Sequence, residues 1–157
     1  MIREMSFEDS DRVLEIYKMG IESGISTFTR ECPPYSEWDA NHHKFCRFVY
    51  EVDGVIAGWV VLAPTSKREI YSGVAEVSLY LDPAYFHRGI GTALMKYVIE
   101  KAPEHGIWCI YSAILETNPR SISLHEKCGF RKIGYRERIT TDRFGQWRNT
   151  VIMEKRL

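Results

Sequence analysis

Apolar positions along this chain switch between a period near 3.6 and a period of 2, and the switches delimit its elements. Met1–Arg3 suits a short first strand. Ser6, with Asp9 three residues on, is an N-cap for a helix through about Met19 whose stripe is Val13, Ile16, Tyr17 and Gly20. Glycine and polar residues punctuate 23–34 and leave Ile25, Thr27 and Phe28 in a loop, either packed under the helices or forming a substrate wall. Ser36 caps a second helical segment to about Phe45. Phe48–Val52 and Val55–Leu62, joined by Asp53-Gly54, predict a hairpin, because that dipeptide tolerates the left-handed backbone of a tight turn.

The β-rich run 76–81 stops at Asp82-Pro83 and passes through Phe86-His87-Arg88-Gly89-Ile90-Gly91 into an amphipathic helix to about Ala102. Ile90, Ala93, Leu94, Tyr97 and Val98 form its stripe, and Pro103 and Gly106 close it. Ile107–Ala113 is apolar enough for a central strand. Asn118-Pro119 opens a further helix, with Asn capping and Pro at the first position, and Cys128-Gly129 ends it. Phe130–Ile139 and Trp147–Leu157 are the last strands, around a turn at 143–146. The order predicts one mixed α/β domain spanning 1–157, layered around a single sheet.

Composition narrows the function classes. The 157 residues are 45% hydrophobic, enough for one core. Lys plus Arg and Asp plus Glu are 21 each, so the formal charge is zero. That argues against a nucleic-acid partner and removes charge repulsion as an obstacle to self-association. Cys32, Cys46, Cys109 and Cys128 lack metal-site spacing, so no metal is expected, and Cys109 reads as a small buried hydrophobe. No leader-like start and no apolar run near 18 residues is present, which predicts a cytoplasmic protein with reduced thiols and no membrane partner. His42 and His43, as helical neighbours about 100° apart, read as solvated surface rather than a metal face.

Three places carry candidate chemistry. The glycine turn at 86–91 leaves free N–H groups at a helix start, where the dipole favours an anion; it lacks the third glycine of a dinucleotide fingerprint and the Gly-Lys-Ser/Thr of a P-loop. Alternation in the preceding strand puts Glu76, Ser78 and Tyr80 on one face and Val77, Leu79 and Leu81 on the other. This is a polar outer face, or else a carboxylate facing a cleft with its pKa raised towards that of a general base. On the Asn118 helix, Asn118, Ser121 and His125 share a face, which reads as a cap beside an ordinary histidine or as part of a site.

In these places the chain resembles the GCN5-related N-acetyltransferases (GNAT), and within them the phosphinothricin/methionine sulfoximine acetyltransferase branch. Phe86-His87-Arg88-Gly89-Ile90-Gly91 aligns with the superfamily's Gln/Arg-x-x-Gly-x-Gly/Ala motif. Glu-Val-Ser-x-Tyr at 76–80, Asn-Pro-x-Ser-Ile-x-Leu-His-Glu-Lys-x-Gly-Phe at 118–130 and Phe-Gly-x-Trp at 144–147 match the branch, as do the spacings of Ile16-Tyr17, Thr27-Phe28, Pro34 and Trp38. Two positions depart from it. Phe86 stands where the motif has Gln or Arg, leaving phosphate binding to backbone N–H groups with Arg88 for charge. Gly73 stands where branch members often carry an aromatic.

The resemblance implies a GNAT fold, a mixed α+β structure with one central, mostly antiparallel sheet of six to seven strands flanked by about four helices. It implies an N-acetyltransferase that moves acetyl from acetyl-CoA directly to the primary amine of a small molecule, an amino acid or amino-acid analogue of the phosphinothricin/methionine sulfoximine type; the alternatives are another amine, such as a protein N-terminus or polyamine, or a module that binds acyl-CoA without turnover. Glu76 is the implied base, with His125 as acid or base. Ser78, Leu79 and Tyr80 would align the pantetheine arm, with the Leu79 N–H on the thioester carbonyl. Phe86, His87, Arg88, Gly89, Ile90 and Gly91 would hold the pyrophosphate, and Asn118 and Ser121 would touch the cofactor. Phe28 and Tyr71, with Glu76, would wall the acceptor; Arg30, Arg68 and Arg138 are candidates for a substrate carboxylate. The resemblance also implies a homodimer.

Overall fold

The computed structural model describes residues 1–157. Seven strands form one sheet: β1 (Ile2–Glu4), β2 (Phe48–Val52), β3 (Val55–Pro64), β4 (Val74–Leu81), β5 (Cys109–Leu115), β6 (Arg131–Thr141) and β7 (Trp147–Arg156). Their order is β1-β2-β3-β4-β5-β7-β6, antiparallel throughout except for the β4–β5 pair. Four helices flank the sheet: α1 (Ser10–Ser23), α2 (Tyr35–Ala40), α3 (Ile90–Lys101) and α4 (Pro119–Lys127).

Strand alternation sorts the core into two layers. Val60, Leu62, Ala75 and Val77 pack with Ile90, Leu94, Met95 and Val98 of α3. Val49, Trp59 and Val61 of the other face pack with Val13 and Ile16 of α1 and Trp38 of α2. Burying each such aliphatic side chain contributes about 1.5–3 kcal/mol. Trp59 also donates its Nε1–H to the Val13 carbonyl at 2.9 Å, satisfying the one polar atom it takes into the core.

Local signals account for most boundaries. Asp53 and Gly54 have φ of 50° and 78°, the left-handed pair that a two-residue hairpin requires. The expected end of α1 near Met19 is too early: the helix runs through Gly20 to Ser23 and is capped by left-handed Gly24. Gly20 lies inside the helix, and a Cβ there would lie 2.6 Å from the Tyr80 ring, so its bareness serves packing rather than termination. The expected second helix to Phe45 is too long. It starts at Tyr35 after Pro34 and stops at Ala40, where Arg47 folds back onto the His43 carbonyl and Asp39 and holds 41–47 in an irregular turn. The same turn overturns the solvated reading of the histidine pair. His42 Nδ1 meets the Trp38 carbonyl at 2.5 Å, and His43 stacks on Phe45 with its Nε2 buried.

Candidate active site

β4 and β5 pair only from Val74 and Cys109 to Glu76 and Tyr111. Beyond that point β4 continues to Leu81 along β3, and β5 continues to Leu115 along β7, but not along each other. The sheet therefore splits, and a cleft of about 910 Å³ occupies the split. Asp82 donates its N–H to Ala57, which fixes the strand's alternation. Even-numbered β4 residues turn their backbone groups to β3, while those of Val77, Leu79 and Leu81 face the gap. An extended ligand arm finds strand-like donors and acceptors there.

At the far end of β4, Asp82 accepts from the Ala84 N–H in a single 3₁₀ turn over Pro83–Tyr85. His87 and Gly89 then take φ of 64° and 76°, and α3 begins. No N–H from His87 to Thr92 finds an acceptor in the chain; the first helical bond runs from Ala93 to Gly89. A row of unpaired donors at a helix start is an anion site, and the cleft reaches it through Phe86, His87, Gly89 and Gly91. The two glycines differ in purpose. Gly89 supplies the left-handed turn, with nothing within 4 Å of its absent Cβ, whereas a Cβ on Gly91 would lie 2.6 Å from Leu124 of α4.

Glu76 lies where the split opens, half-buried and without a hydrogen-bond partner. Desolvation raises its carboxyl pKa above the ordinary value. Ser78 follows on the same face. The Tyr80 ring is enclosed by Tyr17 and Trp59, at centroid distances of 5.1 and 5.0 Å, and burial raises its phenol pKa. From the α1–α2 loop, Thr27 and Phe28 line the cleft with Ser23, Ile25 and Ser26. The β6–β7 tip holds that loop in place: Arg143 donates to the Ile21 carbonyl, Arg30 to Thr141 and the Asp142 carbonyl, and Phe144 packs on Gly24.

Across the split, the Asn118 side chain accepts from the Ser121 N–H at 3.3 Å and caps α4. His125 is 5% exposed, its Nδ1 is 2.6 Å from the Ser121 carbonyl, and its Nε2 is buried without a partner. Desolvation lowers its pKa, against a smaller opposite pull from the Ser121 carbonyl. The residue is thus a neutral imidazole with a bare acceptor nitrogen. Asn118, Ser121 and His125 all line the cleft opposite Glu76, Ser78 and Leu79.

Other expected residues lie elsewhere. Tyr71 sits outside the cleft in the 3₁₀ turn Glu69–Tyr71, under the Arg68 guanidinium. Arg88 also lies outside it, over the Tyr85 ring at 5.2 Å. Arg30 is engaged at the β6–β7 tip and Arg138 stacks on Trp147, so neither lines the cleft. Arg120 and Thr150 line it unanticipated. Arg120 had a signal, its place two residues after the Asn118 cap, whereas Thr150 is brought in only by the β5–β7 register with Leu115. Position 73, bare of a side chain, is covered by an aromatic from elsewhere, since a Cβ on Gly73 would run into the ring of Trp108, the residue before β5.

The cleft suits a thioester of a phosphorylated pantetheine arm, with strand-edge groups for the arm and unpaired N–H groups for phosphate. The model of the acetyltransferase (GNAT) family matches residues 12–130. The phosphinothricin N-acetyltransferase of Alcaligenes faecalis is 27% identical over 163 residues, covering 99% of this chain and 82% of that protein. The L-methionine sulfoximine/L-methionine sulfone acetyltransferase of Pseudomonas aeruginosa is 28% identical over 104 residues, 66% of this chain and 60% of that one. The crystal structure of a ribosomal-protein-alanine N-acetyltransferase from Brucella melitensis superposes with a TM-score of 0.91 at 25% identity, covering 100% of this chain and 99% of the other. The chain belongs to the acetyltransferase (GNAT) family and is an N-acetyltransferase that uses acetyl-CoA.

Proposed function

We propose that the enzyme acetylates the primary amine of a small amino acid or amino-acid analogue, with Glu76 as general base. The observation that carries this reading is the position of an unpartnered, desolvated carboxyl at the point where β4 and β5 part. An α-amine is mostly ammonium at neutral pH and must lose a proton before it attacks. Glu76 takes that proton, directly or through water. The Leu79 N–H, turned into the gap, donates to the thioester carbonyl oxygen as negative charge develops there. The amine nitrogen bonds to the carbonyl carbon, the carbon–sulfur bond breaks, and the departing thiolate takes up the second proton that the nitrogen loses. His125, neutral with a free Nε2, serves this proton traffic as an acceptor and not as a resting acid. Phe28 and Thr27 form the acceptor wall. The names of the phosphinothricin and methionine sulfoximine relatives support the amino-acid class.

One observation favours a second acceptor. The only lysine and arginine lining the cleft are Arg120 and Lys127, both on α4, so no cation of the chain faces an acceptor carboxylate beside Glu76. The α-amine of a peptide N-terminus has no adjacent carboxylate to neutralise. Free-thiol release from acetyl-CoA, measured with methionine sulfoximine, phosphinothricin, common amino acids, their amides and short peptides, separates the readings. Turnover with free amino acids supports the first; turnover confined to amides and peptides supports the second. Binding of acetyl-CoA without thiol release for any amine would remove both in favour of a sensor.

We further place the enzyme in the cytoplasm as a homodimer. Four unpaired cysteines, three of them buried, fit a reducing compartment. Ile133, Tyr135, Ile139 and Trp147, each 45–55% exposed on the β6–β7 edge, fit a surface covered by a second copy. Light scattering giving the monomer mass at micromolar concentration would exclude the dimer.

A further inference from the structure

The phosphate-binding turn has Phe86 at the position where the family motif supplies a polar or cationic side chain, and Arg88, the nearest charge, stacks on Tyr85 outside the cleft. A cation reaches the same spot from another element. Arg120, at the start of α4, lies over the Phe86 ring with its guanidinium carbon 3.6 Å from the ring centroid. No carboxylate acts on it, and both residues line the cleft beside His87 and Gly89. Stacking occupies one face of the guanidinium and leaves its five N–H donors, which lie in the plane, free for a forked contact.

We propose that Arg120, held by Phe86, is the side-chain ligand of the coenzyme A pyrophosphate in this enzyme, replacing the residue the motif lacks at position 86. Phe86 is then a platform and not a gap in the site. A planar cation set against a row of unpaired N–H groups at 87–92 gives a phosphate two converging donor sets from two helices. Backbone donors fix the position of the anion, and the guanidinium adds the charge that neutral amides do not provide.

The proposal rests on acetyl-CoA occupying this cleft, and calorimetry on the wild-type protein checks that first: no binding of acetyl-CoA would sink the cleft assignment itself. With binding established, Arg120→Ala is expected to weaken coenzyme A and dephospho-coenzyme A alike, by about 10- to 100-fold. The KM for S-acetylpantetheine, which has no phosphate, should stay unchanged. Wild-type affinity in Arg120→Ala overturns the proposal. So does a loss seen with coenzyme A but not with dephospho-coenzyme A, which would move the contact to the 3′-phosphate. Arg120 is exposed, so the variant should fold, and an unchanged melting temperature checks this. The swap Phe86→Arg with Arg120→Ala puts the charge back at the motif position. It should recover most of the lost affinity, and failure to recover any would overturn the idea that the two positions share one role.

Discussion

His125 Nδ1 lies 2.6 Å from the carbonyl oxygen of Ser121, one turn earlier on the same helix. A carbonyl only accepts, so the proton sits on Nδ1 and Nε2 is left as a bare acceptor in a buried place. Long-range proton–nitrogen NMR correlation should show this tautomer at pH 7. Stability should follow. With the folded pKa below the unfolded value of 6.5, the neutral ring's contribution is fully present above pH 6.5 and is lost as pH falls through the folded pKa. His42 and His43 are lowered by burial in the same direction. The melting temperature should therefore drop between pH 7 and 5, and His125→Gln should flatten part of that drop. An unchanged slope in the variant counts against a buried neutral His125.

Glu76 has the opposite sign. Its pKa is raised by desolvation, and as the proposed base it would act only when ionised. The rate kcat/KM should rise with pH on a limb lying above the ordinary glutamate value, once the amine's own ionisation is allowed for. Glu76→Gln should remove that limb and lower kcat about 10²- to 10⁴-fold, with acetyl-CoA binding intact. Near-wild-type thiol release in the variant would take Glu76 out of the mechanism.

The two glycines of the turn should separate by experiment. Gly89→Ala forces a Cβ into a left-handed residue at a cost of about 1–2 kcal/mol, and it distorts the row of N–H donors, so acetyl-CoA KM should rise. Gly91→Ala meets Leu124 instead. Overpacking there should cost about 1–3 kcal/mol, partly offset by the helix propensity of alanine. That corresponds to a melting-temperature loss of several degrees at roughly 2–4 °C per kcal/mol. Combining Gly91→Ala with Leu124→Ala should be less destabilising than the sum of the two, since the clash is gone. Additive losses would show that Gly91 does not serve the contact between α3 and α4.

What was legible in the chain was what a few adjacent residues encode. Asp53-Gly54 carries its hairpin in its own backbone preferences, Asn118-Pro119 carries a helix start, and the alternation of 76–81 places Glu76 and Ser78 on one face. What was not legible depends on partners far along the chain. The end of α1 reads as about Met19, before Gly20, until the Tyr80 ring is seen against that glycine, and Gly73 and Phe86 read as departures until Trp108 and Arg120 are seen to cover them. The parting of β4 from β5, which makes the cleft, is a property of strand register that neither strand's sequence states.

Asp142 links the β6–β7 tip to the loop proposed as the acceptor wall. Only 1% exposed, it accepts from the N–H groups of Phe144 and Gln146 at 2.8 and 3.0 Å and from Arg148 at 2.7 Å. Desolvation pushes its pKa up, but the Gln146 N–H, the Arg148 guanidinium and the Phe144 N–H together hold it below the ordinary aspartate value. The turn should therefore persist as pH falls through the usual carboxylate range. Asp142→Ala leaves two N–H groups and a guanidinium unpaired and frees the tip that carries Phe144 onto Gly24 and Arg143 onto the Ile21 carbonyl. The α1–α2 loop with Thr27 and Phe28 then loses its support, while the phosphate turn across the cleft does not. Acceptor KM should rise roughly tenfold, within the loss that a misplacement of about 1 Å brings, with acetyl-CoA KM unchanged. Equal changes in both constants, measured by steady-state thiol release, would mean that the hairpin supports the whole cleft and not the acceptor side alone.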